Sequence, residues 1–416
     1  MVNRVQVFYE GWNERWHWGT LAKTNNPATP ILFEYSEEAL TQNLELSALH
    51  LPLNSRTFTY FEKFNDHLPG IIADALPDGW GRLLMDRLFR QRGLNPASVG
   101  VLDRLTYISN TAMGAFSFQP EQELISNTVT DIPLNLLAQE AQVILSGEDS
   151  PLLAQLVEMG GSPQGARPKA LVYRNSATGQ TSTVPFAGAE PWLIKFPAKE
   201  EHAEVCAIEY LYAACAFQCG LDVPEVEHFD LSNGLAAFAT KRFDRQGNTR
   251  IPMHSLAGYL NTDFRVPNCD YETFIRATGH ISGNNLQEVK KAFLLAVFNV
   301  IFNNRDDHSK NFSYVLNAQR QWQLAPTYDL TFNEGPKGYH QMSVMGEAGV
   351  IPKSAIFALG NIAELSQSEV QHIVERCATV ASQFSNLCQQ YFPEAIRKTT
   401  LTHVQKILDR NIKAML

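Results

Sequence analysis

Two acidic stretches separated by a hairpin constrain this chain more than any other feature. The first is Asn304-Arg305-Asp306-Asp307-His308-Ser309-Lys310-Asn311, and the second is Leu324-Ala325-Pro326-Thr327-Tyr328-Asp329-Leu330. Between them an apolar run, Phe312 to Leu316, gives way to polar Asn317-Ala318-Gln319-Arg320 and then to Trp322 to Leu324. That pattern reads as a β-hairpin, and it places Asp329 just beyond the second strand. Upstream, the apolar stretch Ala292 to Phe302 contains Asn299 and is too short to span a bilayer. It reads as a buried helix that delivers the chain to the polar loop.

Asp306 and Asn311 stand five apart, the interval between the base and the metal-binding Asn in the protein-kinase catalytic loop, H-R-D-x-x-x-x-N. Arg305 fills the middle position of that pattern, and Asn304 replaces its His. Phosphoryl transfer requires an Asp to orient or deprotonate the attacking hydroxyl, and an amide plus a carboxylate to fix Mg²⁺ against the phosphates. Asp306, Asn311 and Asp329 supply those groups in that order, and Lys310 supplies a cation to balance charge on the transferring group. A polar loop after a helix, with Asp and Asn as caps and turn formers, explains the same residues. On the loop alone both readings stand.

The order of elements upstream bears on the choice. Val5, Val7 and Tyr9 alternate with polar residues, Gly11-Trp12-Asn13 is a turn signal, and Trp16 to Leu21 and Ile31 to Tyr35 read as further strands. Leu76-Pro77-Asp78-Gly79-Trp80-Gly81-Arg82 leads into a helical pattern, Leu83, Leu84, Leu88 and Phe89, closed by Gly93. That turn reads first as a rigid entry to a packed helix and second as a binding turn. Residues around 120 to 150 change composition and carry an amphipathic segment. Gly160 to Lys169 is a Gly-rich loop feeding the strand Ala170 to Tyr173, and such a loop brings backbone N–H groups close to phosphates. Its spacing is not G-x-G-x-x-G, and an ordinary turn has the same composition.

Trp192 to Phe196 then places Lys195 in an otherwise apolar strand, where an ammonium needs an anion or a route to solvent. The following helix, about Glu201 to Cys219, offers Glu209 at the margin of its apolar face and Glu204 about a turn earlier. A strand lysine followed by a helix glutamate is the kinase arrangement for nucleotide phosphates; a lysine snorkelling at a strand edge is the plainer account. Val223 to Leu231 and Leu235 to Thr240 read as two more strands, running into Lys241-Arg242-Phe243-Asp244-Arg245 where a kinase has its interlobe hinge. Beyond that point the chain is expected to be mainly helical apart from the hairpin. The sequence therefore predicts an α+β, protein-kinase-like two-lobe fold with an additional N-terminal β-rich subdomain. The expected divisions are 1–120, a connecting segment 121–150, a kinase N-lobe 151–245 and a helical C-lobe 246–416.

With 416 residues, 44% of them hydrophobic, the chain is long enough for more than one unit. A formal net charge of -9 excludes the overall basic footprint of an autonomous nucleic-acid binder. The opening Met1-Val2-Asn3-Arg4 does not read as a secretory signal. Cys206, Cys215, Cys219, Cys269, Cys377 and Cys388 form no Cys-x-x-Cys pair, so reduced thiols and a cytoplasmic location are expected.

The sequence also resembles the HipA-type bacterial serine/threonine kinases, the toxin half of toxin–antitoxin pairs. The resemblance rests on Leu76 to Arg82, Gly165-Ala166-Arg167-Pro168-Lys169, Leu193-Ile194-Lys195-Phe196-Pro197 and Arg242-Phe243-Asp244-Arg245. Most specifically it rests on Asp306-Asp307-His308-Ser309-Lys310-Asn311 with Pro326-Thr327-Tyr328-Asp329-Leu330. It implies ATP and Mg²⁺ as cofactors, with Asp306 as catalytic base beside His308 and Lys310, and Asn311 and Asp329 as Mg²⁺ ligands. Lys195 becomes the nucleotide-phosphate lysine with Glu209 on its helix, and Gly165, Ala166 and Lys169 belong to the phosphate loop. Backbone from Lys241 through Arg242 to Phe243 would receive the adenine, and Ser162 matches a position of self-phosphorylation. The implied partners are a protein substrate, such as an aminoacyl-tRNA synthetase, and a HipB-like DNA-binding antitoxin, with DNA reached only through that partner and no membrane. Lys241 departs from the Glu common before Arg-Phe-Asp-Arg, and the loop Ser162 to Lys169 is not the commonest version.

Beside a toxin kinase, a small-molecule or lipid kinase on the same scaffold fits the constellation, because nothing in it identifies the acceptor. A weakly active nucleotide-binding subunit of a repressor complex is a third reading, opposed by the complete set Lys195, Asp306, Asn311 and Asp329. A metal hydrolase using Asp306, Asp307 and His308 leaves Lys195 and the Gly-rich loop unexplained.

Overall fold

Val5, Val7 and Tyr9 are buried while Arg4 and Gln6 are exposed, so the first strand, β1 (Arg4–Tyr9), has one core face. It pairs antiparallel with β2 (Trp16–Lys23), which pairs with β3 (Ile31–Tyr35). The helix α1 (Gly79–Gln91) follows, and β4 (Phe116–Gln119) then closes the other edge in the order β3-β2-β1-β4. Trp18 anchors the buried face against Phe33, Tyr35 and Phe116, with ring centroids 4.6–5.2 Å apart.

The computed structural model describes residues 2–108, 112–122, 131–160 and 165–416. The chain divides into two compact units: Met1–Glu201 with Phe229–His254 and Gly258–Asn261, and His202–His228 with Ser255–Ala257 and Thr262–Leu416.

The first unit holds a second sheet beside the N-terminal one. It is built from β5 (Lys169–Arg174), β6 (Thr181–Ser182), β7 (Glu190–Lys195), β8 (Val226–Asp230), of which Phe229 and Asp230 belong to this unit, and β9 (Ala236–Lys241), in the order β6-β5-β7-β9-β8. Three helices cover its face: α1, α2 (Leu134–Ser146) and α3 (Leu153–Gly160). Trp80, Leu84, Leu137, Val157, Val172, Trp192 and Ile194 belong to one buried cluster there. Each such apolar side chain contributes about 1.5–3 kcal/mol on burial. The N-terminal helix α1 is therefore part of the core under the sheet that carries Lys195.

The second unit is mainly helical. It contains α4 (Glu204–Gln218), α5 (Tyr271–Ile281), α6 (Leu286–Ile301), α7 (Gln367–Ser382) and α8 (Lys398–Met415). Asp270 caps α5 by accepting the Thr273 N–H, and Asn285 caps α6 by accepting the Gln287 N–H. From Ala292 to Ile301, α6 is buried all round, the environment that its apolar run demands. The hairpin forms with β10 (Ser313–Leu316) antiparallel to β11 (Trp322–Leu324), Tyr314 opposite Leu324.

Three local expectations change. The helix after the Asp-Gly-Trp-Gly turn starts at Gly79, inside the turn. Glu209 is buried at 3% exposure rather than lying at a margin, because α4 is enclosed on nearly every side. Past Lys241, two short strands, Arg245–Gln246 and Thr249–Arg250, pair before the helices begin. Among the described residues no helix is long and apolar enough to cross a membrane.

Candidate active site

Helix α6 is capped at its C-terminus by Phe302, whose carbonyl accepts the Tyr212 hydroxyl at 2.6 Å, and Asn303 turns the chain through a left-handed conformation at φ 55°. The loop that follows alternates. Arg305, Asp307 and Ser309 are buried, while Asp306, His308 and Lys310 are only partly so. From 305 to 308 the chain is extended, which imposes such alternation when one side lies on the core, and Ser309–Asn311 then form a single 3-10 turn.

The inward residues anchor the loop. Asp307 Oδ2 accepts the Tyr271 hydroxyl at 2.8 Å and lies 2.7 Å from His340 Nδ1, and its Oδ1 accepts the Gln341 N–H at 2.8 Å. Asn299 Nδ2 donates to the Tyr271 hydroxyl and Asn304 Nδ2 to Asn299 Oδ1, each at 3.0 Å. The Arg305 guanidinium donates to the carbonyls of Gly338 and Gly349. Burial, reinforced by Arg410, lowers its pKa. Asp307 and Arg305 thus fasten the loop to the segment after Asp329.

The outward side carries the predicted chemistry. The Asp306 side chain is 46% exposed and lies 3.9 Å from His308 Nε2. The His308 ring packs on Phe264 at 5.4 Å, and Lys310 Nζ stands 4.7 Å from the centre of the same ring. Asn311 Nδ2 donates to the Asp306 carbonyl at 2.7 Å, which fixes the amide and leaves Oδ1 as an oxygen donor. Asp329 is half-buried and adopts φ 57°, a conformation that costs a non-glycine residue free energy and is found at functional sites. Its neighbour Tyr328 reaches back, donating to the Lys310 carbonyl at 2.9 Å and sharing a hydrogen bond with Ser313 Oγ at 2.6 Å. Asp306, His308, Lys310 and Asn311 therefore sit on one side of a loop tied to the residue before Asp329. One carboxylate and one amide oxygen are hard donors of the sort Mg²⁺ takes while keeping water and phosphate oxygens in its shell.

The remaining predicted residues lie in the first unit, apart from Glu209 on α4 of the second. Lys195 is buried at the end of β7, its Nζ 5.8 Å from the centre of the Phe238 ring. In register it faces Lys169 of β5, also buried. Two ammonium groups on opposed strand positions suit an anionic ligand. Gly165 has φ 107°, and a Cβ there would meet Lys169 Nζ; Ala166 follows it. Lys241 pairs with Glu190 at 2.5 Å. The Arg242 N–H donates to Pro191 O at 3.0 Å, so that donor is spent on the sheet. Its guanidinium, with that of Arg245, grips the fully buried Asp244. Burial opposes the charge on Asp244, but the two guanidiniums and the Gly114 N–H outweigh it and hold the carboxyl far below its usual range. The Arg-Phe-Asp-Arg signature is thus a structural ion pair in its side chains. Glu204 binds Arg397 and Thr400, which commits it within the second unit. Ser162 lies outside the described residues.

Sequence reasoning missed Phe264, which carries no motif, and the partners of Asp307, which come from residues 271 and 340–341.

Comparison with known proteins places these features. Residues 161–384, more than half the chain, match the model of the HipA-like C-terminal domain, and residues 9–119 match the HipA N-terminal domain. A Sinorhizobium fredii protein described as "Putative kinase Y4dM" is 26% identical over 330 residues, covering 75% of this chain and 73% of its own. The fold is that of Shewanella oneidensis HipA, solved with HipB and operator DNA, at a TM-score of 0.72 and 16% identity over 98% of this chain and 96% of that one. With both family domains matched in order and the kinase-type loop between α6 and the hairpin, this chain belongs to the HipA-like family of kinases.

Proposed function

We propose that this protein is an ATP- and Mg²⁺-dependent serine/threonine protein kinase of the toxin type, acting on a host protein and restrained by a HipB-like DNA-binding antitoxin. The observation that carries the reading is the parity of the loop 305–310, which buries the anchoring residues and turns Asp306, His308 and Lys310 outward.

ATP bound with Mg²⁺ would supply the phosphoryl group, its charge partly neutralised by the metal. Asp306 accepts the proton of the attacking hydroxyl, an exposed carboxylate being open to a substrate side chain. Lys310 would supply a cation to the transferring group, and Phe264 restricts where that cation and the His308 ring sit. Asn311 Oδ1 and the Asp329 carboxylate are the donors that would hold the metal. Lys195, Lys169 and the backbone at Gly165 and Ala166 would take the phosphates, and Glu209 has the role of the helix carboxylate in the kinase pattern. The backbone segment from Lys241 to Phe243 would receive the adenine, with the Arg242 N–H itself committed to the Pro191 carbonyl. The net charge of -9 fits contact with DNA through a basic partner.

The test is incubation of purified protein with γ-labelled ATP, Mg²⁺ and a host lysate, followed by phosphosite mapping. Phosphoserine or phosphothreonine on a lysate protein is the expected result. Label found only in small molecules would move the assignment to a small-molecule kinase.

A further inference from the structure

The turn Asp78-Gly79-Trp80-Gly81 does more than start a helix. Asp78 stands at the N-cap of α1 with extended φ and ψ, where an aspartate ordinarily accepts a backbone N–H from the first turn. Its side chain makes no such bond. Instead, Asp78 Oδ1 accepts the N–H of Gly165, at the far side of the Gly-rich segment. The Trp80 N–H, one of the donors a helix start leaves unpaired, donates to the Gly165 carbonyl at 3.1 Å. Helix start and loop therefore cap each other at a single residue, in both directions. The Trp80 indole N–H adds a third bond, to the Lys169 carbonyl at 3.0 Å.

Steric detail points the same way. A Cβ on Gly79 would come within 2.6 Å of the Gly165 carbonyl oxygen, and one on Gly81 would strike the carbonyl oxygen of Gly160. A Cβ on Gly160 would lie 2.8 Å from Leu84 Cδ1 and 3.1 Å from Trp80 Nε1. Glycine is thus required on both sides for the backbones to approach. Both ends of the Gly-rich segment, Gly160 and Gly165 to Lys169, rest on one turn. That turn is immobilised by Trp80, Leu84 and Leu88 in the core beneath β5 and β7. It lies within the stretch matching the HipA N-terminal domain, which supplies none of the residues assigned to chemistry above.

We infer that Asp78 and Trp80 are positioning residues which hold the backbone of Gly165 and Lys169 in place for the nucleotide phosphates, so that the N-terminal domain sets the affinity for nucleotide. This inference rests on the kinase reading. A nucleotide loop that must be pre-formed loses affinity in proportion to the fraction of time it is not.

Full-length wild type, D78A, D78N and W80F are compared for KM of Mg-ATP and kcat, together with melting temperature and hydrogen exchange across residues 165–169. D78A should raise the ATP KM on the order of tenfold, equivalent to about 1.4 kcal/mol, with a smaller change in kcat. D78N should restore it, because the amide oxygen still accepts the Gly165 N–H. W80F keeps the ring in the core but loses the donor to Lys169, and it should raise KM several-fold even if D78A proves unstable. An unchanged KM in D78A and W80F with active wild type would overturn the clamp, as would equal impairment of D78A and D78N. If wild type itself neither binds nor turns over Mg-ATP, the kinase reading fails instead. Exchange then decides the clamp: faster exchange at 165–169 in D78A upholds it and unchanged exchange overturns it.

Discussion

Replacing Asp307 by alanine should destabilise the second unit severely, while the same change at its neighbour Asp306 should not. Asp307 is 1% exposed and receives the Tyr271 hydroxyl, His340 Nδ1 and the Gln341 N–H. Tyr271 and His340 are themselves buried, so water does not replace the lost acceptor. Each stranded donor costs about 1–3 kcal/mol, and removing one partner of a buried charged network about 3–5 kcal/mol in total. At about 2–4 °C per kcal/mol for a domain of ordinary size, the melting temperature should fall by roughly 6–20 °C. Asp307→Asn keeps an oxygen for the Gln341 N–H and should lose less than half as much. Asp306→Ala removes a carboxylate that is 46% exposed, and its cost should stay within about 0.5 kcal/mol. Circular dichroism melts of the three variants and wild type measure this directly. An Asp307→Ala protein melting within 2 °C of wild type would refute the argument that this side of the loop is the anchor.

Asp329→Asn should weaken Mg-ATP binding while leaving metal-free nucleotide binding largely intact, because it removes the charged donor of the pair; calorimetric titration with and without Mg²⁺ checks it. Glu158, on α3 just before the Gly-rich loop, has its pKa raised from 4.5 to about 7 by burial and by the nearby charge of Glu121. A carboxyl whose folded pKa exceeds its unfolded value stabilises most below the unfolded pKa and loses that contribution as pH rises through the folded one. Wild type should accordingly lose stability between pH 5 and 8, and Glu158→Gln should lose less, as melts at the two pH values will record. Without its partner, the purified protein should bind duplex DNA only weakly at physiological salt; tight, sequence-specific binding in a mobility-shift assay would contradict the proposed division of labour.

Much of the fold was legible because its signals are short-range. The hairpin 312–324, the buried helix before the loop and the strands at the N-terminus each declare themselves within a dozen residues, through period-2 alternation or an unbroken apolar run. The spacing of Asp306, Asn311 and Asp329 is equally local. What escaped depends on contacts between distant segments. Asp78 looks like an ordinary helix cap, and nothing near it in sequence reveals that its acceptor oxygen is turned to Gly165, 87 positions away. Asp307 and Asp306 are the same residue type side by side, and only the partners from 271 and 340–341 separate the anchor from the exposed carboxylate. The Arg-Phe-Asp-Arg signature reads as a hinge in sequence, whereas its side chains bury an ion pair against backbone carbonyls at 112 and 114.

The central claim is that Asp306 is the base of a phosphoryl-transfer site. Its most direct test is to measure Mg-ATP affinity and phosphoryl transfer on the same preparations of wild type and Asp306→Ala. The account predicts equal affinity, equal melting temperature and a loss of transfer of about 10²–10⁴-fold. Transfer near the wild-type rate in Asp306→Ala would contradict it.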